Sequence, residues 1–210
     1  MPTATHLFAF AFVAIGMVLT PGPNMVYLIS RSISQGWRAG LISLGGVALA
    51  FVVYMLCAAM GITALLLTVP YAYDALRICG ALYLLFLAWQ ALKPGGRSPL
   101  QVRDLPQDTP RRLFVMGFLT NLLNPKAAVL YLSLLPQFIE PERGHVLMQS
   151  LLLGLTQITI SLTVNAAITV TAGSIAAFFV MRPTWLKVQR WVMGGVLGGL
   201  AVRMAVDTRR

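Results

Sequence analysis

The chain has 210 residues, of which 58% are hydrophobic and 10% charged, and its net charge is +10. A soluble domain carries about 25% charged residues, and a chain of this size cannot hide so much apolar surface from water, so a soluble globular domain is excluded. The basic excess reads as membrane loops rather than a nucleic-acid surface, because no aromatic–basic platform accompanies it.

A spanning helix takes about 20 apolar residues. Six apolar blocks follow one another, at 6–30, 39–68, 72–92, 113–138, 146–178 and 185–206. They predict an all-α membrane protein of six transmembrane helices.

No Lys or Arg precedes the first block, so it reads as a retained helix rather than a signal peptide. It is interrupted at Thr20-Pro21-Gly22-Pro23-Asn24. Two prolines remove two backbone donors, and Gly22 permits dihedrals that other residues avoid. Broken backbone at membrane depth is tolerated only where it is buried in protein or lines a cavity. The break frees carbonyls at 18–22, which attract an ammonium, and amides from Asn24 onward, which attract a carboxylate. One break thus offers both ends of a zwitterion a partner; a plain packing kink is the other reading.

The second block ends at Pro70 and the third at Lys93-Pro94-Gly95-Gly96. Cys57 and Cys79 lie in apolar runs without C-x-x-C spacing and read as small packing residues. The stretch 93–112, with Pro94, Pro99, Pro106 and Pro110, reads as a mobile linker. It divides the chain into a first three-helix repeat (1–92), a polar cytoplasmic linker (93–112) and a second three-helix repeat (113–210).

The fourth block is interrupted by Thr120-Asn121-Leu122-Leu123-Asn124-Pro125-Lys126, 100 residues after the first break, and both breaks read T-x-x-x-N. Three spans per half give the halves opposite orientation. Helices 1 and 4 are thus predicted as the broken helices of two inverted repeats, an arrangement that places the substrate site near the midplane. A mid-membrane lysine costs at least about 2.5–3.5 kcal/mol, and Asp74, Asp104, Asp108, Glu140, Glu142 and Asp207 all fall at span ends or in loops, with none inside a span to pair with Lys126. It either bonds helix carbonyls, awaits an anionic group of the substrate, or snorkels to the surface. Thr20, Pro21, Gly22, Pro23, Asn24, Thr120, Asn121, Asn124, Pro125 and Lys126 are the candidate substrate-binding residues. Tyr27, Tyr131, Thr156, Gln157, Thr159, Ser161, Thr163 and Asn165 are lesser candidates for a path.

The fifth block is too long for a bilayer core and is expected to tilt, or to break near Gly173. In the sixth, Gly194, Gly195, Gly198 and Gly199 form small-x-x-x-small pairs, suited to packing within the chain or to a homodimer. His6 and His145 lack a second ligand at helical spacing. No cofactor, metal or catalytic base is expected, and no nucleophile–base pair points to an enzyme. Basic residues concentrate in 31–38, 93–112 and 181–187, which places the linker inside and both termini outside, although Arg209 and Arg210 run the other way.

The run Thr20-Pro21-Gly22-Pro23-Asn24 with Ser30-Arg31-Ser32, Gly36 and Ala39-Gly40 resembles the lysine exporter superfamily, in its homoserine/threonine efflux branch. Asn124-Pro125-Lys126, Gly80-Ala81-Leu82-Tyr83-Leu84 and Trp89 with Leu92 carry the same resemblance. It implies export of amino acids or their derivatives across a bacterial inner membrane, driven by the proton motive force. Acids that some members carry in the second span and just past the N-P pair are missing: Gly46 to Phe51 contains none, and Val129 and Leu130 stand at the second place. A cationic substrate is therefore disfavoured, and a neutral or zwitterionic one is expected. The alternative is a passive channel for small polar solutes.

Overall fold

The computed structural model describes residues 2–20, 22–68 and 107–180, with scattered positions between 78 and 93 and between 188 and 202. Most of the third and sixth predicted blocks, and Pro21, lie outside the described residues. All the described elements are helical.

Helix α1 (Ala4–Leu19) starts at Thr3, whose hydroxyl accepts the His6 amide. It stops where Pro21-Gly22-Pro23 cannot continue the ladder. Helix α2 (Pro23–Gln35) restarts with Gly22 as N-cap and proline in its first turn, a position where the missing amide costs nothing. Gly36, at φ +85°, reverses the chain into α3 (Trp37–Thr68). Helix α4 (Pro110–Leu122) is capped by Thr109 and begins three residues earlier than the block at 113 predicts, because Pro110 opens helices well at N1. After Leu123 and Asn124 the chain re-enters α5 (Pro125–Val129), widens into a π turn (Leu130–Leu134) and tightens into a 3₁₀ turn (Leu135–Phe138). Pro136 has no amide to continue the ladder, which accounts for the irregular end. Helix α6 (Val146–Val180) then runs 35 residues. The expected break near Gly173 is absent: a single mid-helix glycine costs only about 1 kcal/mol, and no proline stands beside it.

Trp37–Gly61 and Val146–Ala172 are each long and apolar enough to span a membrane. Ala4–Leu19 with Pro23–Gln35, bent by 55°, and Pro110–Leu122 with Pro125–Phe138, bent by 50°, pass the same test as pairs. Up to four spans are therefore described, two of them broken where the sequence predicts. The faces without protein cover are apolar: Phe8 and Phe12 are 75% and 73% exposed, as befits side chains turned to lipid.

The two broken spans run antiparallel, each beginning where the other ends. At one end the Thr3 amide donates to Glu140 Oε2 at 3.1 Å, and His6 and Arg143 face the same carboxylate. At the other end Arg31 of α2 pairs with Asp108, which also takes Arg112 at 2.9 Å and donates its amide to Gln35 Oε1 at 3.1 Å. The final residues of the predicted mobile linker are therefore held against α2.

Glycines bring α3 against α4. A Cβ on Gly46 would lie 1.9 Å from the Phe114 carbonyl oxygen, and one on Gly117 would lie 2.1 Å from that of Ser43. Such contact of backbone on backbone is how membrane helices gain dispersion energy when lipid removes the hydrophobic drive. Asn121 Nδ2 to the Val47 carbonyl (3.0 Å) and Tyr54 to that of Leu122 (2.7 Å) join the same two helices, and Tyr27 to that of Leu113 (3.1 Å) joins α2 to α4. An aromatic layer of Phe51, Tyr54 and Tyr131 fills the core, with Tyr54 stacked on Tyr131 at 5.6 Å.

Gly117→Ala is expected to lower thermal stability in detergent by an amount typical of overpacking, about 1–3 kcal/mol, whereas Gly61→Ala, with nothing within 4 Å among the described residues, leaves it unchanged. The Thr3 amide is the first cause that holds the Glu140 carboxyl below the usual carboxylate range, with His6 and Arg143 adding to it. A depressed folded-state value means that the Glu140 contribution is complete above the unfolded carboxylate value and is lost as pH falls through the folded one. Hydrogen exchange at the start of α1 should accelerate across that acid window, and Glu140→Gln should remove the acid step.

Candidate functional site

The two breaks meet at one cavity. Met17 and Val18 of α1, Asn24 and Met25 of α2, Phe51 of α3, Asn121 of α4, Asn124, Lys126, Ala127 and Leu130 around the second break, and Gln157, Ser161 and Asn165 of α6 line it. Its polar members are amides, a hydroxyl and one ammonium; no acidic residue is among them. The space holds about two water molecules.

Lys126 reaches across to the opposite break. Its Nζ donates to the carbonyl oxygens of Met17 at 2.9 Å and Thr20 at 2.7 Å. Both oxygens lie where α1 stops at Leu19, at the negative end of its dipole, and the Met17 carbonyl also takes the Thr20 amide at 3.2 Å. Of the three readings the sequence allows, the structure takes the first, a lysine bonded to helix carbonyls. A charge-assisted hydrogen bond contributes roughly 1.5–3 kcal/mol, so two of them match an insertion cost of about 2.5–3.5 kcal/mol. Gly22 lies against the lysine stem: a Cβ there would stand 3.3 Å from Nζ.

The other candidates fall around this bridge. Thr20 is buried, and its hydroxyl donates to the Gly16 carbonyl at 2.8 Å. Pro23 is exposed at the first turn of α2, while Asn24 is buried with its Oδ1 lacking a protein partner. Asn124 caps α5 by accepting the Lys126 amide at 3.0 Å, with Pro125 beside it exposed at N1. Asn121 is fully buried; its Nδ2 holds α3, and its Oδ1 has no protein partner. Thr120 is half-buried on α4 and is not among the lining residues. Pro21 lies outside the described residues. Buried acceptors without a partner are uncommon, and Asn24 and Asn121, which each carry one, both line this cavity.

Among the lesser candidates, α6 supplies the opposite wall. Gln157, Ser161 and Asn165 recur every fourth residue, so they share one face, and all three are buried. Gln157 accepts from the Tyr131 hydroxyl and donates to Ser161 Oγ at 2.8 Å, and Asn165 donates to the Ser161 carbonyl at 2.8 Å. Thr156, Thr159 and Thr163 instead bond carbonyls of their own helix, and Thr159 and Thr163 are exposed. Tyr27 is taken up by Leu113 and lies outside the cavity. The residues missed from sequence are the Met17 carbonyl and the apolar wall of Met25, Phe51 and Leu130. A carbonyl has no side-chain signature, and apolar residues are ordinary in any span.

A family model described as LysE type translocator matches residues 15–208. The chain is 29% identical over 190 residues to the homoserine/homoserine lactone efflux protein of Salmonella typhimurium, and equally to that of Salmonella typhi; the match covers 90% of this chain and 90% of each relative. No solved structure matches it.

Tyr131→Phe keeps the ring stack but leaves Gln157 Oε1 without its donor. It should destabilise the protein by about 1–3 kcal/mol, the cost of an unpaired buried acceptor, read as a lower melting temperature in detergent.

Proposed function

The chain belongs to the LysE type translocator family, and on that premise we propose that it exports a neutral or zwitterionic amino acid of the homoserine or threonine kind, or a derivative such as a lactone, from the cytoplasm across a bacterial inner membrane. The observation that carries the reading is the Lys126 bridge between two helix breaks, at a cavity that no acid among the described residues lines. Without an anion, a second positive charge on the solute side chain has nothing to neutralise it, which disfavours lysine-like cargo.

The cavity offers a zwitterion both kinds of partner. The carboxylate faces Lys126 and the opening amides of α2, where the dipole is positive. The amino group belongs on the carbonyls at the end of α1. Asn24, Asn121 and Asn124 brace the breaks and supply amide groups to the solute. The antiparallel broken spans support inverted three-helix repeats that rock about the site. The gap, wide enough for about two waters, admits an amino acid only after such a movement. Arg31, Arg38, Arg111 and Arg112 gather where α2 ends and α4 begins, which makes that end cytoplasmic.

A homodimer through the last span belongs to the same proposal. Gly194 packs on Leu92, but Gly195, Gly198 and Gly199 have nothing within 4 Å among the described residues and suit a close helix contact.

Cells that overproduce the chain should tolerate raised homoserine or threonine, and unchanged tolerance to every amino acid and lactone tried would count against export. In vesicles, Lys126→Ala should slow transport at least about tenfold, the equivalent of about 1.4 kcal/mol; normal flux at normal expression would remove Lys126 from the site. Saturation and counterflow separate a transporter from a passive channel.

A further inference from the structure

This inference rests on the exporter reading of the same cavity. A zwitterion needs carbonyl oxygens for its ammonium, and the break in the first span frees few. Those at Met17 and Thr20 already hold the Lys126 ammonium, at 2.9 and 2.7 Å. Two ammonium groups on the same two oxygens repel strongly, no carboxylate among the described residues lines the cavity to relieve them, and the solute's own carboxylate is taken by the opening amides of α2. The solute's ammonium and a protonated Lys126 therefore exclude one another from these two oxygens.

The charged and titratable groups on the surrounding elements are engaged elsewhere. Arg31 and Arg112 share Asp108 at one end of the molecule, and His6 and Arg143 face Glu140 at the other. The hydroxyls of Tyr27, Tyr54 and Tyr131 donate to Leu113, Leu122 and Gln157. Among the described residues, Lys126 is the only titratable group that lines the cavity.

We propose that Lys126 is the proton carrier of the transport cycle, and that the carbonyls of Met17 and Thr20 form a shared ammonium site, filled by protonated Lys126 in the empty transporter and by the solute's ammonium in the loaded one. As the solute binds, the Lys126 N–H bond breaks and its proton passes to cavity water, leaving a neutral amine; no other bond changes and nothing is oxidised or reduced. Reprotonation from the outer side returns the lysine to the carbonyls and expels the solute. One proton enters for each solute that leaves, without any intramembrane acid. Gly22 leaves the space beside Nζ that this exchange of occupants uses.

The test uses the full chain, purified in detergent, with homoserine as the probe. Binding to the wild type should release one proton per solute into weakly buffered solution. Its apparent affinity should rise about tenfold per pH unit while Lys126 is protonated, until the solute's own amine begins to lose its proton. Lys126→Gln, which cannot titrate, should bind without proton release or pH slope. Lys126→Arg, which stays charged, should block binding at every pH. Wild-type binding without proton release, or proton release retained in Lys126→Gln, overturns the proton-carrier role and leaves the exporter reading standing. Absence of homoserine binding to the wild type at any pH overturns both.

Discussion

The ammonium of Lys126 lying on the carbonyls of Met17 and Thr20 is the interaction on which the rest of this structure depends. A helix broken at membrane depth leaves main-chain acceptors short of donors, and a lysine at the same depth carries a charge that no acid among the described residues meets. Either alone is costly. Placed against each other they satisfy both needs, and they tie the break in one span to the break in the other.

The surrounding fold keeps that pairing in register. Contacts at opposite ends of the molecule, Thr3 with Glu140 and Arg31 with Asp108, hold the two broken spans antiparallel. The close approach at Gly46 and Gly117 sets the distance between α3 and α4. The hydrogen bond from Asn121 to Val47 then fixes the second break against α3. Large apolar side chains such as Phe8 and Phe12 lie on the exterior, where the bilayer rather than water covers them, while Gln157, Ser161 and Asn165 are buried within the bundle.

Both breaks were legible in the sequence, since Pro21-Gly22-Pro23 and Asn124-Pro125 leave the backbone no regular alternative. That Lys126 lacked an acidic partner was also legible, because the acids can be counted. Its actual partners were not, since main-chain carbonyls carry no letter of their own. Asp108 looked like any loop residue; only the fold shows that it sits between Arg31 and Arg112. The length of α6 suggested a break at Gly173 that did not form, because excess span length is accommodated by tilt more cheaply than by severing a ladder of hydrogen bonds. The polar face of α6 was visible as residue types, but only packing separates Gln157, Ser161 and Asn165 from the outward threonines beside them.

The wide turn at Leu130–Leu134 has a mechanical consequence. There the Leu135 amide bonds the carbonyl five residues back, and Pro136 supplies no amide at all. An α-helix advances about 100° per residue, so one surplus residue offsets the faces above and below it by about that angle. Leu130, Tyr131, Leu134, Leu135 and Phe138 are all buried along this short segment. The ladder is already incomplete at this point, so the segment can twist there without giving up further hydrogen bonds. The span is thus compliant toward Phe138 and stiff along α4, with a torsion joint set beyond the bend at Asn124.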